Sequence, residues 1–247
     1  MVVSKRSAVA PTLQFTSTSR SHPGRRRAVN EDRVLDTPEA SVWAIADGMG
    51  GLHAGALAAA RAIEAVAAVE KERSGYSRLV GMIQRLEALN RAMSAEADEA
   101  APSGSTIVAL LVHDGHSACL WAGDSRAYRL RGGLLSRLSH DHSYVQELVD
   151  EGSLSEAERK GHPAAHVITR AIGAGASVEI EQRFAAVEHG DVFLLCSDGL
   201  TGCIDDHELL QFLGQMALDE TADQLLALAL ERGAPDNVSL VLIRASA

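Results

Sequence analysis

The chain has 247 residues, 46% of them hydrophobic but only 4% aromatic, and its formal net charge is −10 at pH 7. This length fits one large domain or two small ones with an aliphatic core. The negative charge argues against nucleic-acid binding, because contacts to phosphates need clustered Lys and Arg. Residues 1–12 lack the apolar stretch of a signal peptide, and no run approaches the ~20 apolar residues that span a membrane. We therefore predict a cytoplasmic, monomeric protein that forms a single domain over residues 1–247, with no membrane contact.

The first half of the chain predicts two helices between strands. Residues 14–19 could form an edge strand, and the apolar run 41–46 predicts a buried strand that ends at Asp47. Residues 54–70 are rich in alanine, and residues 77–100 carry apolar side chains at the 3.6-residue period, so both ranges predict helices.

The chain then changes period. Residues 106–112, 117–122 and 125–131 predict consecutive strands, and glycine-containing turns at 113–115 and 131–133 are hairpin signals. Short strands in series without helical crossovers indicate an antiparallel sheet.

Residues 139–175 are polar, rich in His and Gly, and poor in periodic signal. We predict a mobile excursion from the main fold, a kind of segment that often gates access to a site. Inside it, residues 141–151 predict a helix that stops at Gly152, and residues 155–160 predict a short one.

The last third predicts strands at residues 178–184 and 191–196, helices at 206–218 and 221–232, and a final strand at 237–243. Helices thus alternate with groups of antiparallel strands. This order predicts an α+β fold in which two antiparallel sheets carry helices on their outer sides. Three cysteines, Cys119, Cys196 and Cys203, have apolar neighbours and predict small buried side chains rather than disulfides or a zinc site.

Short acidic motifs recur at the edges of the strand-like runs. Their acidic residues are Glu31, Asp32, Asp47, Asp124, Asp198 and Asp236. Each motif alone also fits an ordinary turn, and the Asp124 motif fits a hairpin between two strands. Recurrence favours a shared site, where like-charged carboxylates would repel unless a cation neutralised them. We therefore expect hard divalent metals with oxygen ligands.

Arg27 lies four residues before Glu31. A guanidinium beside an acidic metal cluster would bind an anion with planar, bidentate geometry, and phosphate is the obvious candidate. The alternative is a solvated basic run formed by Arg25, Arg26 and Arg27.

Five motifs in this order resemble the bacterial PPM family, the metal-dependent serine/threonine phosphatases of the protein phosphatase 2C type. They are Arg-Ala-Val-Asn-Glu-Asp from Arg27, Asp-Gly-Met-Gly-Gly from Asp47, Gly-Asp-Ser-Arg from Gly123, Ser-Asp-Gly-Leu from Ser197, and Asp-Asn at Asp236. The resemblance covers residues 14–243. It implies a four-layer α-β-β-α sandwich, a flap subdomain at about residues 139–175, and two Mn²⁺ or Mg²⁺ ions.

The resemblance also implies a role for each motif residue. Asp47 would bridge two metals, the Gly48 carbonyl would bind one of them, and Asp198 and Asp236 would bind the other. Asp124 with Asp198 would hold a third ion, and Glu31 and Asp32 would act on or through metal-bound waters. Asn237 would support Asp236, and Arg27 would hold the substrate phosphate. A hydroxide bridging the metals would attack phosphorus directly. Met49 stands where eukaryotic members carry a histidine proposed as general acid, so that role has no assigned residue.

The leading hypothesis is a phosphatase that acts on phosphorylated proteins and reverses a bacterial serine/threonine kinase. A role beside a type VI secretion kinase stays open. The alternative is a non-catalytic regulatory binding module on the same fold. A structural calcium-binding protein also fits acid-rich turns, but it gives Arg27 no role and does not match a contiguous calcium loop.

Overall fold

A computed structural model describes residues 13–50, 54–68, 74–96, 103–214 and 217–247. The strands are β1 (Gln14–His22), β2 (Arg33–Thr37), β3 (Val42–Ala46), β4 (Gly48–Met49), β5 (Gly104–Ser105), β6 (Ile107–His113), β7 (His116–Ala122), β8 (Arg126–Arg131), β9 (Leu134–Arg137), β10 (Glu181–Ala186), β11 (Val192–Cys196) and β12 (Val238–Ser246). The helices are α1 (Ala54–Ala67), α2 (Gly75–Glu96), α3 (Tyr144–Asp150), α4 (Asp198–Thr201), α5 (Asp206–Leu213) and α6 (Leu218–Glu231).

Two five-stranded sheets form the centre of the molecule. The first has the strand order β1-β12-β11-β8-β9 and the second β10-β7-β6-β3-β2, and every pairing is antiparallel. Helices α1 and α2 pack on the outer face of the second sheet, and α5 and α6 pack on the first. The predicted α+β architecture, a four-layer α-β-β-α sandwich, is therefore confirmed.

The environment of strand β3 explains why residues 41–46 form a continuous apolar run. Trp43 faces the layer between the sheets, whereas Val42 and Ala44 face α1 and α2. All five residues of β3 are buried because both faces of the sheet are covered. The alanines of α1 let that helix approach the sheet closely.

Both predicted hairpins are confirmed. Asp114 and Gly115 connect β6 to β7 with φ values of 47° and 72°, and Gly132 and Gly133 connect β8 to β9 with φ values of 55° and 80°. Two central residues with positive φ match the right-handed twist of the flanking strands.

The prediction that residues 106–131 form one antiparallel sheet is wrong for its last strand. Strand β8 belongs to the first sheet, whereas β6 and β7 belong to the second. The connection from Gly123 to Ser125 crosses between the sheets instead of forming a hairpin, and it carries Asp124. Gly123 adopts a φ of 119°, which a residue with a side chain rarely adopts.

Several predicted helix bounds are also wrong. Residues 141–143 precede α3, where Ser143 is the N-cap and accepts a hydrogen bond from the Gln146 amide. Residues 155–160 form turns, with a single 3₁₀ turn at Arg159–Gly161. Helix α5 ends at Leu213 and α6 begins at Leu218, so the range 206–218 is not one helix. The predicted helix ends at residues 69–70 and 97–100 lie outside the described residues.

The remaining predictions hold with small shifts. Strand β1 is an edge strand, as predicted, and β10, β11 and β12 lie within a few residues of their predicted bounds. Cys119 and Cys196 are buried, whereas Cys203 is half-buried, and none of these three cysteines forms a disulfide. In the described ranges, no helix combines the length and apolar character needed to cross a bilayer.

Candidate metal centre

Four aspartates meet at one end of the sandwich. Asp47 directly follows β3, Asp124 lies just after β7, Asp198 begins α4 after β11, and Asp236 lies just before β12. All four line a pocket of about 1100 Å³. Two sheets contribute strand ends to this pocket, which explains how residues so distant in sequence converge.

The other predicted site residues lie in or beside the same pocket. Arg27, Glu31, Gly48 and Asn237 line it. Asp32 is 2% exposed and lies beneath the pocket surface. The structure thus brings all the predicted site residues together.

Burial and mutual repulsion dominate the electrostatics of this cluster. Burial raises the pKa of Asp47 well above its ordinary value, and the charges of Asp32 and Asp198 raise it further. Burial and the charge of Asp198 raise the pKa of Asp124 in the same way. Burial raises the pKa of Asp198, and Asp236 adds to the shift. So many buried carboxylates are unfavourable as anions unless positive charge is supplied.

Several carboxylate oxygens have no partner inside the protein. Glu31 Oε1, Asp32 Oδ1, Asp124 Oδ1 and Asp198 Oδ1 are buried and accept no hydrogen bond. An unpaired buried carboxylate oxygen is costly, so these atoms call for an external partner. A donor set of carboxylates and a backbone carbonyl suits Mg²⁺ or Mn²⁺.

These groups do not close around a single point, and such an arrangement suits ions that keep part of their water shell. Within the described ranges, no three Asp, Glu, His or Cys side chains form a ready cage around a single point. Mg²⁺ usually keeps several waters and is held by only one or two carboxylates, so a cage is not required. The residues present therefore fit divalent cations with oxygen ligands.

Gly48 lies against the first turn of α1. A Cβ atom at Gly48 would meet the Gly55 carbonyl oxygen at 2.1 Å, and one at Gly55 would meet Glu31 Oε1 at 2.7 Å. A side chain at either position would therefore displace the helix or Glu31. Gly55 was not singled out by its sequence pattern, because it lies inside a run that predicts an ordinary alanine-rich helix.

The Asp198 motif is a short helix rather than the turn that its sequence also fitted. Ser197 precedes α4, and its hydroxyl donates to Asp32 Oδ2 at 2.9 Å instead of capping the helix. A Cβ atom at Gly199 would lie 2.0 Å from the Asn237 carbonyl oxygen. The glycine therefore lets the motifs of Asp198 and Asp236 pack directly on each other.

Asn237 holds more of the site than its predicted support of Asp236. Its backbone amide donates to Asp236 Oδ1 at 2.9 Å, and its side-chain oxygen accepts from the Glu31 amide at 2.8 Å. Its side-chain amide donates to the carbonyls of Pro23 and Val29, each at 3.0 Å. Asn237 therefore fixes the loop that carries Arg27 and Glu31.

Arg27 lies at the rim of the pocket. Its guanidinium donates to Asp236 Oδ2 at 2.7 Å, and this hydrogen bond raises the pKa of Arg27. The side chain is nevertheless 55% exposed. The guanidinium can therefore meet an anion that enters the pocket from solvent.

Two supporting residues were missed by the sequence reasoning. Thr106 Oγ1 accepts from the Asp47 amide at 3.1 Å and hydrogen-bonds Ser125 Oγ at 2.8 Å, so it joins the Asp47 and Asp124 segments. His142 contacts Gly123, next to Asp124. No local pattern marks Thr106, whereas His142 stood out only as one of several histidines in a polar segment.

The fold agrees with comparison to known proteins. The sequence pattern of the family described as Protein phosphatase 2C matches residues 20–233. The chain therefore belongs to the protein phosphatase 2C family, as the ordered motifs predicted.

Three relatives illustrate the similarity. The serine/threonine protein phosphatase PstP of Mycobacterium tuberculosis is 36% identical over 234 residues, which cover 94% of this chain and 45% of PstP. A structure of the PstP catalytic domain in complex with 2 manganese ions has a TM-score of 0.86 at 35% identity, and covers 96% of this chain and 100% of that one. PppA, described as a key regulatory component of T6SS in Pseudomonas aeruginosa, has a TM-score of 0.86 at 40% identity, and covers 94% of this chain and 98% of that one. The chain spans about half the length of the mycobacterial relative.

Proposed function

We propose that this chain is a metal-dependent protein serine/threonine phosphatase that hydrolyses phosphoserine and phosphothreonine. The observation that carries the proposal is the acidic pocket, because four buried carboxylate oxygens in it or directly beneath it lack a partner. A cation-binding pocket with an arginine at its rim suits a phosphate monoester, because the ester oxygens need positive charge around them.

The residues that would hold two divalent ions are Asp47, Gly48, Asp198 and Asp236, with Glu31 beside them and Asp124 with Asp198 as the place for a third. Bound Mn²⁺ or Mg²⁺ would supply an activated water and charge neutralisation at phosphorus. The PstP structure that holds two manganese ions supports this assignment.

Arg27 would bind the substrate phosphate. Its guanidinium is planar and always charged, so it can donate two parallel hydrogen bonds to phosphate oxygens. Its bond to Asp236 fixes one edge of the guanidinium and aims the exposed remainder at the pocket.

Asp32 would hold a proton near the attacking water. Burial raises the pKa of Asp32 to about 6, against the opposite effect of hydrogen bonds from Ser239 and Ser197. Ser197 occupies Oδ2, which leaves Oδ1 as the atom that can accept and release a proton.

The alternative, a non-catalytic regulatory module on the same fold, is not favoured. A binding module has no need to keep buried carboxylates that repel one another. Relatives that match over nearly the whole chain carry phosphatase names. The alternative predicts a folded, metal-loaded protein without turnover.

The physiological setting is part of this proposal. We expect phosphorylated proteins as substrates, with a serine/threonine kinase as the opposing enzyme. The similarity to PppA makes a type VI secretion context the first to test. We also propose a single domain over residues 1–247, monomeric and cytoplasmic, with residues 139–175 as a flap beside the pocket.

The experiment is hydrolysis of a phosphothreonine peptide in Mn²⁺ and in EDTA, for the wild type and for Asp198→Asn. Turnover that needs Mn²⁺ and falls steeply in the variant is expected. An absence of turnover in a folded, Mn²⁺-bound wild type would contradict the proposal and favour the regulatory module.

A further inference from the structure

Asp124 lies in a connection whose other residues are all held in place. Ser125 Oγ bonds Thr106 Oγ1 at 2.8 Å, and Arg126 donates to Asp141 with distances of 2.6–3.1 Å. Asp124 itself is 7% exposed, and its Oδ1 has no partner. A backbone fixed on both sides of a free carboxylate is the arrangement expected of a preorganised ligand.

His142 holds the residue on the other side of Asp124. The His142 amide donates to the Gly123 carbonyl at 2.9 Å, and the Gly123 amide donates to His142 Nδ1 at 3.1 Å. A backbone amide can only donate, so Nδ1 must be the unprotonated nitrogen of the ring. The proton therefore sits on Nε2, which donates to Glu181 Oε1 at 3.0 Å.

The surroundings keep the His142 ring in this form. The ring stacks on Trp121 with centroids 6.3 Å apart and 23° between the planes, and its side chain is 7% exposed. Burial lowers the pKa of His142, which favours the neutral ring that the Gly123 bond requires.

The same residue also joins the far end of the 139–175 segment. Its carbonyl accepts from the Thr169 amide at 2.9 Å, and Ser143 and Ile168 form a β-bridge one residue further on. Glu181, the partner of Nε2, also accepts from Arg170 at 3.0 Å. Both stems of the segment therefore meet at His142.

We propose that His142 is a positioning residue for the metal ligand Asp124, acting through the hydrogen bond between its Nδ1 and the Gly123 amide. Loss of that bond leaves the Gly123 amide without an acceptor and only the backbone bond to the Gly123 carbonyl in place, so the Asp124 carboxylate is held less firmly in the pocket. The bond from Nε2 to Glu181 serves only to orient the ring. This inference rests on the proposed metal role of Asp124.

Two substitutions separate the two ring nitrogens. In His142→Asn, the amide oxygen can take the place of Nδ1 and accept from Gly123, but nothing reaches Glu181. In His142→Gln, the longer amide can reach Glu181 in place of Nε2, but the acceptor for Gly123 is lost. His140→Asn is the matched control, because His140 is the neighbouring surface histidine and contacts Asp150 instead.

The measurement is Mn²⁺ titration followed by electron paramagnetic resonance of the free ion, with Asp124→Asn as the reference. Asp124→Asn should lose one class of Mn²⁺ site. His142→Gln should weaken that same class by about 10–100-fold, the usual effect of removing a group that orients a ligand. His142→Asn and His140→Asn should bind as the wild type does, and the remaining sites should be unchanged in all variants.

Wild-type Mn²⁺ binding by His142→Gln would overturn the proposal. Equal losses of Mn²⁺ affinity in His142→Asn and His142→Gln would also overturn it, because they would indicate that His142 acts only through general packing. Unfolding temperatures in EDTA, measured in parallel, identify a variant that has merely lost its fold. Equal unfolding of His142→Asn and His142→Gln would also count against the proposal. If Asp124→Asn binds all the Mn²⁺ of the wild type, the proposal fails at its premise. Peptide hydrolysis in the same samples separates these results from a failure of the proposed phosphatase activity.

Discussion

Asp141 and Asp124 are two buried acids in the wall of one pocket, and their surroundings are opposite. The Asp141 side chain is 1% exposed and accepts from Arg126 and Arg159, with Arg137 at 3.6 Å. Burial would raise the pKa of Asp141, but these arginines outweigh it and leave the pKa below its ordinary value. Asp124 is also buried, yet its Oδ1 has no partner, and burial together with the charge of Asp198 holds its pKa well above the ordinary value.

The difference separates acids that hold the fold from acids that await a ligand. Asp191 belongs with Asp141, since it is fully buried and accepts two hydrogen bonds of 2.6 Å from Arg131. Asp198 belongs with Asp124, since its buried Oδ1 also has no partner. Burial alone is therefore a poor guide to function, whereas a buried carboxylate oxygen without a partner, in the wall of a pocket, indicates a binding atom.

Removing the charge of the paired acid should cost the most stability. Asp141→Asn removes the buried charge that Arg126 and Arg159 share and leaves them only the exposed Asp206 and Glu156 as counter-ions. Breaking a buried ion pair typically costs about 3–5 kcal/mol. Urea unfolding at pH 7 measures this loss. Asp150→Asn, at an acid that is half exposed, is the control and should change stability by less than about 0.5 kcal/mol.

Removing the charge of an unpaired acid should instead cost turnover. Asp198→Asn should lower kcat/KM for a phosphothreonine peptide by at least about 10²–10³-fold, because charge stabilisation at the reacting phosphate is lost. Asp206→Asn is the matched control, since Asp206 lines the same pocket but accepts from Tyr128. Comparable losses of kcat/KM in both variants would show that every acid of the pocket matters equally for turnover. That result would contradict the distinction between paired and unpaired acids.

Adding the missing positive charge should stabilise the folded protein. Mn²⁺ at 100 times its dissociation constant should raise the free energy of unfolding by about 2.7 kcal/mol per site, because the ion binds the folded state. Thermal unfolding with Mn²⁺ and with EDTA measures the shift. Unchanged stability at saturating Mn²⁺ would argue that the unpaired oxygens are not ligands.

The paired acid Asp141 should also affect how the free energy of unfolding depends on pH. The pKa of Asp141 is lowered on folding, so its contribution is complete above its ordinary value of 3.8 and is lost as pH falls through the lower folded value. The stability gap between the wild type and Asp141→Asn should therefore narrow as pH decreases below about 4. Urea midpoints at several pH values test this, and a gap that widens toward acid would contradict the assignment.

Local chemistry in the sequence was enough for much of the fold. The glycines of the two hairpins require positive φ, and the apolar runs of β3, β6 and β11 are covered on both faces. Local sequence pattern could not reveal which sheet a strand joins or which distant partners a residue bonds. The turn at Gly123 can either return to its own sheet or cross to the other, and the helix at residues 141–151 loses its first turn because Asp141 and His142 bond elsewhere.

The acidic residues of the candidate site could be predicted from the sequence, but the residues that hold them in place could not. Each acidic motif lay at the edge of a predicted strand and contained a glycine or an asparagine, so the recurrence of the pattern revealed the site. Thr106, Asp141 and His142 act through bonds to distant backbone and side chains, and no spacing in the sequence encodes those partners. The pairing of Arg27 with Asp236 was likewise unreadable.

The most direct test compares one substitution at the two acids. Asp124→Asn and Asp141→Asn should change the free energy of unfolding in EDTA with opposite signs. Asp124→Asn should stabilise the metal-free protein, because it removes a buried carboxylate whose Oδ1 has no partner. Asp141→Asn should destabilise it. Destabilisation of similar size by both substitutions would contradict the claim that unpaired acids are kept for binding and paired acids for the fold.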